Sequence, residues 1–133
     1  MPPLRDVLLD YCQTRPAAIE EYPFGEDVAV FKVGGRMFAL LPLVGEAAEI
    51  SLKCEPGLAE ELRARHPAIR AGYHLNKQHW NTITLDGSLE RDRVIELVDH
   101  SYERVVAGLS RAARQRLGIG GASEPGMPVG MED

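Results

Sequence analysis

The run VAVFKVGGRMFALLPL, residues 28–43, restricts this chain more than any other stretch. Two apolar segments of strand length, rich in Val, Phe and Leu, flank the pair Gly34-Gly35. Adjacent glycines accept positive φ at both central positions of a tight turn, the geometry that suits two antiparallel strands. The run predicts a β-hairpin, residues 28–33 against residues 36–43.

The flanking segments set what that hairpin can pack on. Leu4, Val7, Leu8 and Tyr11 recur at helical spacing behind Pro2 and Pro3, which predicts a helix over about residues 3–14. The loop IEEYPFGED follows, with Tyr22 and Phe24 expected to fold back onto the core. In AEISLKC, Ile50, Leu52 and Cys54 alternate with Glu49, Ser51 and Lys53, the pattern of a strand with one wet face. EPGLAEELRARH then reads as a short helix opened by Pro56. HWNTITLDG alternates Ile83 and Leu85 against Trp80, Thr82 and Thr84, another strand, with Asp86-Gly87 as its exit turn. A long apolar stripe from Val94 to Leu109 predicts one helix over about residues 89–116. Residues 118–133 are rich in Gly and Pro with little to bury, so they are expected to form a disordered tail after a single domain of residues 1–117. Strands grouped in runs with helices between them imply an α+β fold, an antiparallel β-sheet with helices packed on one face.

Net charge of -5 argues against a strongly basic nucleic-acid binder, yet Glu124, Glu132 and Asp133 place three of those charges in the tail. No apolar run approaches the roughly 20 residues a bilayer span needs, so no membrane partner is expected. The charged N-terminal stretch reads as a helix and not as a signal peptide, which makes a cytoplasmic home the expectation. Cys12 and Cys54 fit no CxxC spacing and read as small buried hydrophobes.

The chemistry-bearing residues concentrate in GYHLNKQHWNTITLDG, residues 72–87. His74 and His79, with His66 and His100 elsewhere, raise a metal, but no carboxylate or thiolate stands at ligand spacing and no metal site is assigned. Ser51, Ser88 and Ser101 have no evident base, and no glycine loop opens a helix as a phosphate cradle, so no catalytic residue and no cofactor are assigned. Parity puts Ser51, Lys53, Trp80, Thr82 and Thr84 opposite the apolar face. An exposed Trp80 among Lys, Asn and His would offer a stacking plane, donors and a cation. The bland alternative is an indole lying beneath a loop or the tail.

Together YPFGEDVAVFKVGGRMFALL, ISLKCEP, GYHLNKQHWNTITLDG and HSYERV resemble the MmcQ/YjbR family over about residues 22–109. The resemblance implies a fold like that of secretion chaperones and the CyaY/frataxin type, with no established enzymatic activity, and DNA binding through β-hairpin wings. Its signature positions fall here on Lys53, Pro56, Gly72, Tyr73, His74, Asn76, Lys77, His79, Trp80 and Asn81. The expectation is a monomeric or homodimeric, non-enzymatic DNA-binding protein. Its candidate contacts are Arg36 on the hairpin, Lys53 on the sheet, and Tyr73, His74, Asn76, Lys77, His79, Trp80 and Asn81. The second reading is an adapter holding a small ligand or a peptide on the open sheet face around Trp80.

Overall fold

A computed structural model describes residues 2–45, 47–72 and 75–119. The elements run α1 (Leu4–Gln13), β1 (Ile19–Glu21), β2 (Val28–Val33), β3 (Arg36–Pro42), β4 (Glu49–Lys53), α2 (Pro56–Arg65), β5 (Ile69–Ala71), β6 (Trp80–Thr84), α3 (Arg91–Ala107) and α4 (Arg111–Leu117). The six strands make one antiparallel sheet in the order β1-β2-β3-β4-β6-β5. The fold is α+β, as the strand and helix patterns predict.

The hairpin forms where expected, with Gly34 at φ 59° and Gly35 at φ 81°. A register shift between Phe31 and Lys32 turns both Phe38 and Ala39 of β3 into the core. Ala29, Phe31, Val33, Leu41, Ile50, Leu52 and Ile83 supply the sheet's side of that core. Leu8 and Cys12 of α1, Ala59 and Leu62 of α2, and Val94, Val98 and Val105 of α3 supply the helical side. Burial pushes the Cys12 thiol up to about 12 and raises that of Cys54, so both are protonated packing groups at neutral pH.

Four expectations need correction. Residues 19–21, expected as loop, form β1, which like β5 carries no alternation in its three residues; their extended form comes from pairing with β2 and β6. The single helix over 89–116 is two helices, because Gly108 ends α3 and the Ser110 hydroxyl caps α4 by accepting from the Ala113 N–H at 3.0 Å. Tyr22 and Phe24 do not fold back onto the core: they are 41% and 64% exposed. The outer sheet face is not uniformly wet either. Val30, Trp80 and Thr82 are all buried on it, and the Ser51 and Thr82 hydroxyls bond each other at 2.7 Å. Nearly all of the expected tail lies outside the described residues; Gly118 closes α4 at φ 70° and Ile119 packs against the core.

Candidate functional site

Three stretches singled out in the sequence, residues 53–56, 75–81 and 100–104, meet at the end of β4. Strand β4 must give way to α2 there, and every strand-to-helix junction leaves amide donors to satisfy. Here each finds a different partner. The Lys53 N–H donates to Ser101 Oγ at 2.8 Å, the Cys54 N–H to the His79 carbonyl at 2.7 Å, and the Glu55 N–H to His100 Nε2 at 3.2 Å. The Ser101 hydroxyl in turn donates a hydrogen bond to the Phe38 carbonyl at 2.5 Å, so one hydroxyl joins β3, β4 and α3. The Glu55 carboxylate then accepts from the Gly57 and Leu58 N–H groups at 3.0 and 2.9 Å, which caps α2 and lowers its pKa.

His100 must be neutral to accept from Glu55. Burial first, and the Arg104 guanidinium second, hold its pKa below the ordinary 6.5, with Glu103 and Glu55 opposing. On the same helix the Tyr102 ring stands edge-on to Phe38 with centroids 5.3 Å apart, and its hydroxyl donates to the Pro16 carbonyl at 2.5 Å. The stretch HSYERV is therefore a set of ties from α3 to β3, β4, the α2 entry and the α1 exit. Nothing in its residue types alone announced those partners, because each lies tens of residues away.

The approach to β6 is built by Asn76. Its side chain accepts from the Gln78 N–H at 2.9 Å, and its carbonyl accepts from the His79 and Trp80 N–H groups. That turn leaves Asn76 and Lys77 exposed and His79 half-buried. The expected exposure of Trp80 is overturned. The indole does point away from the helices, as parity requires, yet it is only 7% exposed. Gly72 lies so close that a Cβ there would stand 2.9 Å from the Trp80 Cβ. Asn81, on the core side, is also buried; Arg63 donates to its Oδ1 at 2.8 Å and to the Lys77 carbonyl at 3.1 Å. Sequence reading missed Arg63, which locks the turn to α2. Tyr73 and His74 lie outside the described residues.

The hairpin tip is exposed at Gly34, Gly35 and Arg36 and leans on the end of α3. Gly34 packs on Leu109, and Arg36, the other candidate contact, reaches the Gly108 carbonyl at 3.4 Å. Lys32, Arg15, Arg65, Arg70 and Arg93 stand in ion pairs with Glu21, Asp99, Glu61, Glu49 and Glu96. Among the described residues Lys53, Arg63, Lys77 and Arg104 stand in no such close ion pair, nor do Arg5, Arg36, Arg91, Arg114 and Arg116; the Arg104 charge does act on the Glu55 carboxylate and helps to lower its pKa. These four cations surround the β4–α2 junction and the 75–79 turn. No group of three or more His, Cys, Asp or Glu that could hold a metal occurs among the described residues.

The YjbR family model matches residues 13–104. The uncharacterized protein YjbR of Escherichia coli K12 is 39% identical over 110 residues, covering 83% of this chain and 93% of that one. A Deinococcus radiodurans protein with a DUF419 domain has a crystal structure that is 40% identical and superposes with a TM-score of 0.82 over 92% of this chain and 94% of its own. The crystal structure of a Pseudomonas syringae protein, 29% identical, gives 0.66 over 76% of this chain and 97% of its own.

Proposed function

The chain belongs to the YjbR family, and on that footing we propose that it binds DNA through the β4–α2 junction and the 75–79 turn. One observation carries the reading: four cations, Lys53, Arg63, Lys77 and Arg104, lie around one strand-to-helix junction and the turn beside it, and none of them stands in a close ion pair. Unpaired cations on a rigid frame are what a phosphate backbone recruits, since each neutralised phosphate releases condensed counterions. Lys77 sits on an exposed turn pinned by Asn76 and Arg63, so it meets a phosphate with little further ordering.

This contact surface does not rest on the hairpin tip, which is exposed at Gly34, Gly35 and Arg36 and leans on Leu109 and Gly108 at the end of α3. It also differs from an adapter reading, because burial of Trp80 removes the stacking plane that a ligand on the open face would use. The net charge of -5 predicts weak binding at physiological salt and makes the contacts mainly electrostatic.

The test is fluorescence anisotropy of a labelled duplex oligonucleotide between 50 and 200 mM salt, on the parent, Lys53→Ala and Lys77→Ala proteins. The expected result is a linear fall of log K with log salt, with each substitution lowering the slope by about one unit. No saturable binding at the lowest salt, or a slope that neither substitution changes, would sink the proposal.

A further inference from the structure

We infer that the free edge of β1 and the loop after it dock an extended, basic and apolar segment of another protein, which adds to the sheet as a seventh strand. Among the described residues strand β1 pairs only with β2, so its outer edge presents main-chain donors and acceptors with no partner strand there. Strand addition uses such an edge for affinity and the side chains around it for selection.

The side chains here are unusual for an edge that is merely solvated. Five large apolar side chains are exposed among the described residues, and Ile19, Tyr22 and Phe24 lie within six positions of one another along this edge. Val44, also exposed, stands near the far end of that loop, because the Leu43 N–H bonds the Asp27 carbonyl at 2.8 Å; there Arg5 donates to the Leu43 and Gly45 carbonyls on either side of it. Single exposed apolar groups are ordinary, but three within six residues of one sheet edge concentrate apolar surface where a partner strand would add. The opposite edge shows the contrast. On β5, Ile69 is buried, Arg70 is tied to Glu49 at 2.6 Å, and α2 packs alongside.

Charge selects the occupant. Residues 19–33 carry four carboxylates and one cation, and that cation, Lys32, is already bonded to Glu21 at 2.9 Å. A second copy offering the same edge would meet its own charge, and a nucleic acid would be repelled. A segment with Lys or Arg alternating with apolar side chains matches both the carboxylates and the patch. Pro23 lacks an N–H, so the pairing stretch ends there and the added strand is short.

The experiment selects phage-displayed random dodecapeptides on the full chain, then synthesises the enriched peptides. The expected pool is rich in Lys or Arg alternating with apolar residues. A synthesised member should shift the amide resonances of residues 19–22 and lose at least tenfold in affinity against Glu21→Lys and against Phe24→Ser. N-methylation of alternate peptide amides should abolish binding, which charge attraction alone would survive. Both substitutions are on exposed side chains, and far-UV circular dichroism checks that each variant is folded. The inference is overturned by a pool with no basic enrichment, by affinity that neither substitution changes, or by self-association of the parent that Phe24→Ser abolishes.

Discussion

Trp80 and His100 show how much one side chain can decide in this fold. With 7% of its surface in water, the Trp80 ring is a packing element on the outer sheet face, wedged against Gly72. Truncation to Ala should therefore cost about 3–5 kcal/mol, read as a lowered urea midpoint with an unchanged m-value. A loss under about 1 kcal/mol would show that the ring contributes little packing. His100 makes a second prediction, about pH. Its folded pKa lies below the 6.5 of the unfolded chain, held down by burial and then by Arg104 and Arg93 against Glu103 and Glu55. Between those two values the unfolded chain binds the extra proton, so stability falls as pH drops below 6.5 and levels off below the folded pKa. The urea midpoint should be lower at pH 5.5 than at pH 7.5, and His100→Gln, which keeps an acceptor for the Glu55 N–H, should narrow that gap. An unchanged gap in the variant would assign the pH dependence to other groups.

At the scale of elements, the β2–β3 hairpin is coupled to the end of α3. Gly34 sits at φ 59°, and a Cβ there would meet Leu109 Cδ1 at 2.7 Å. Gly35, at φ 81°, has nothing within 4 Å of such a Cβ. Gly34→Ala thus combines backbone strain with a clash and should cost about 2–3 kcal/mol, against about 1 kcal/mol for Gly35→Ala. Pairing Gly34→Ala with Leu109→Ala should recover part of the clash, giving a favourable coupling energy in a double-mutant cycle measured by urea unfolding. Strict additivity would mean that the tip and the helix end do not press on one another. The break between α3 and α4 belongs to the same region. Apolar spacing runs on through Leu109, which is buried, so periodicity alone reads one helix. The Ser110 cap is what divides it.

Across the whole molecule, charge is sorted by position. Four carboxylates crowd the β1 end of the sheet, four cations outside any close ion pair stand around the β4–α2 junction with others at the start of α3 and on α4, and Glu124, Glu132 and Asp133 follow α4 in the sequence. Removing residues 120–133, while keeping Gly118 and Ile119 that close α4, deletes those last three charges. DNA binding at low salt should then strengthen, with the gain shrinking as salt rises. Unchanged affinity at 50 mM salt, an order-of-magnitude low-salt condition, would count against an electrostatic origin. The hairpin, β4, β6 and α2 were readable from local pattern, because alternation, the Gly34-Gly35 pair and Pro56 act within a few residues. So was the outward parity of Trp80, which follows from period two alone. Its burial was not, nor were β1 and β5, since a three-residue strand has too little pattern to signal and takes its shape from its neighbour. The ties of Ser101, His100 and Arg63 were equally silent. A hydroxyl, an imidazole or a guanidinium reads the same in any sequence until the fold brings its partner within 3.2 Å, and only tertiary structure decides which partner that is.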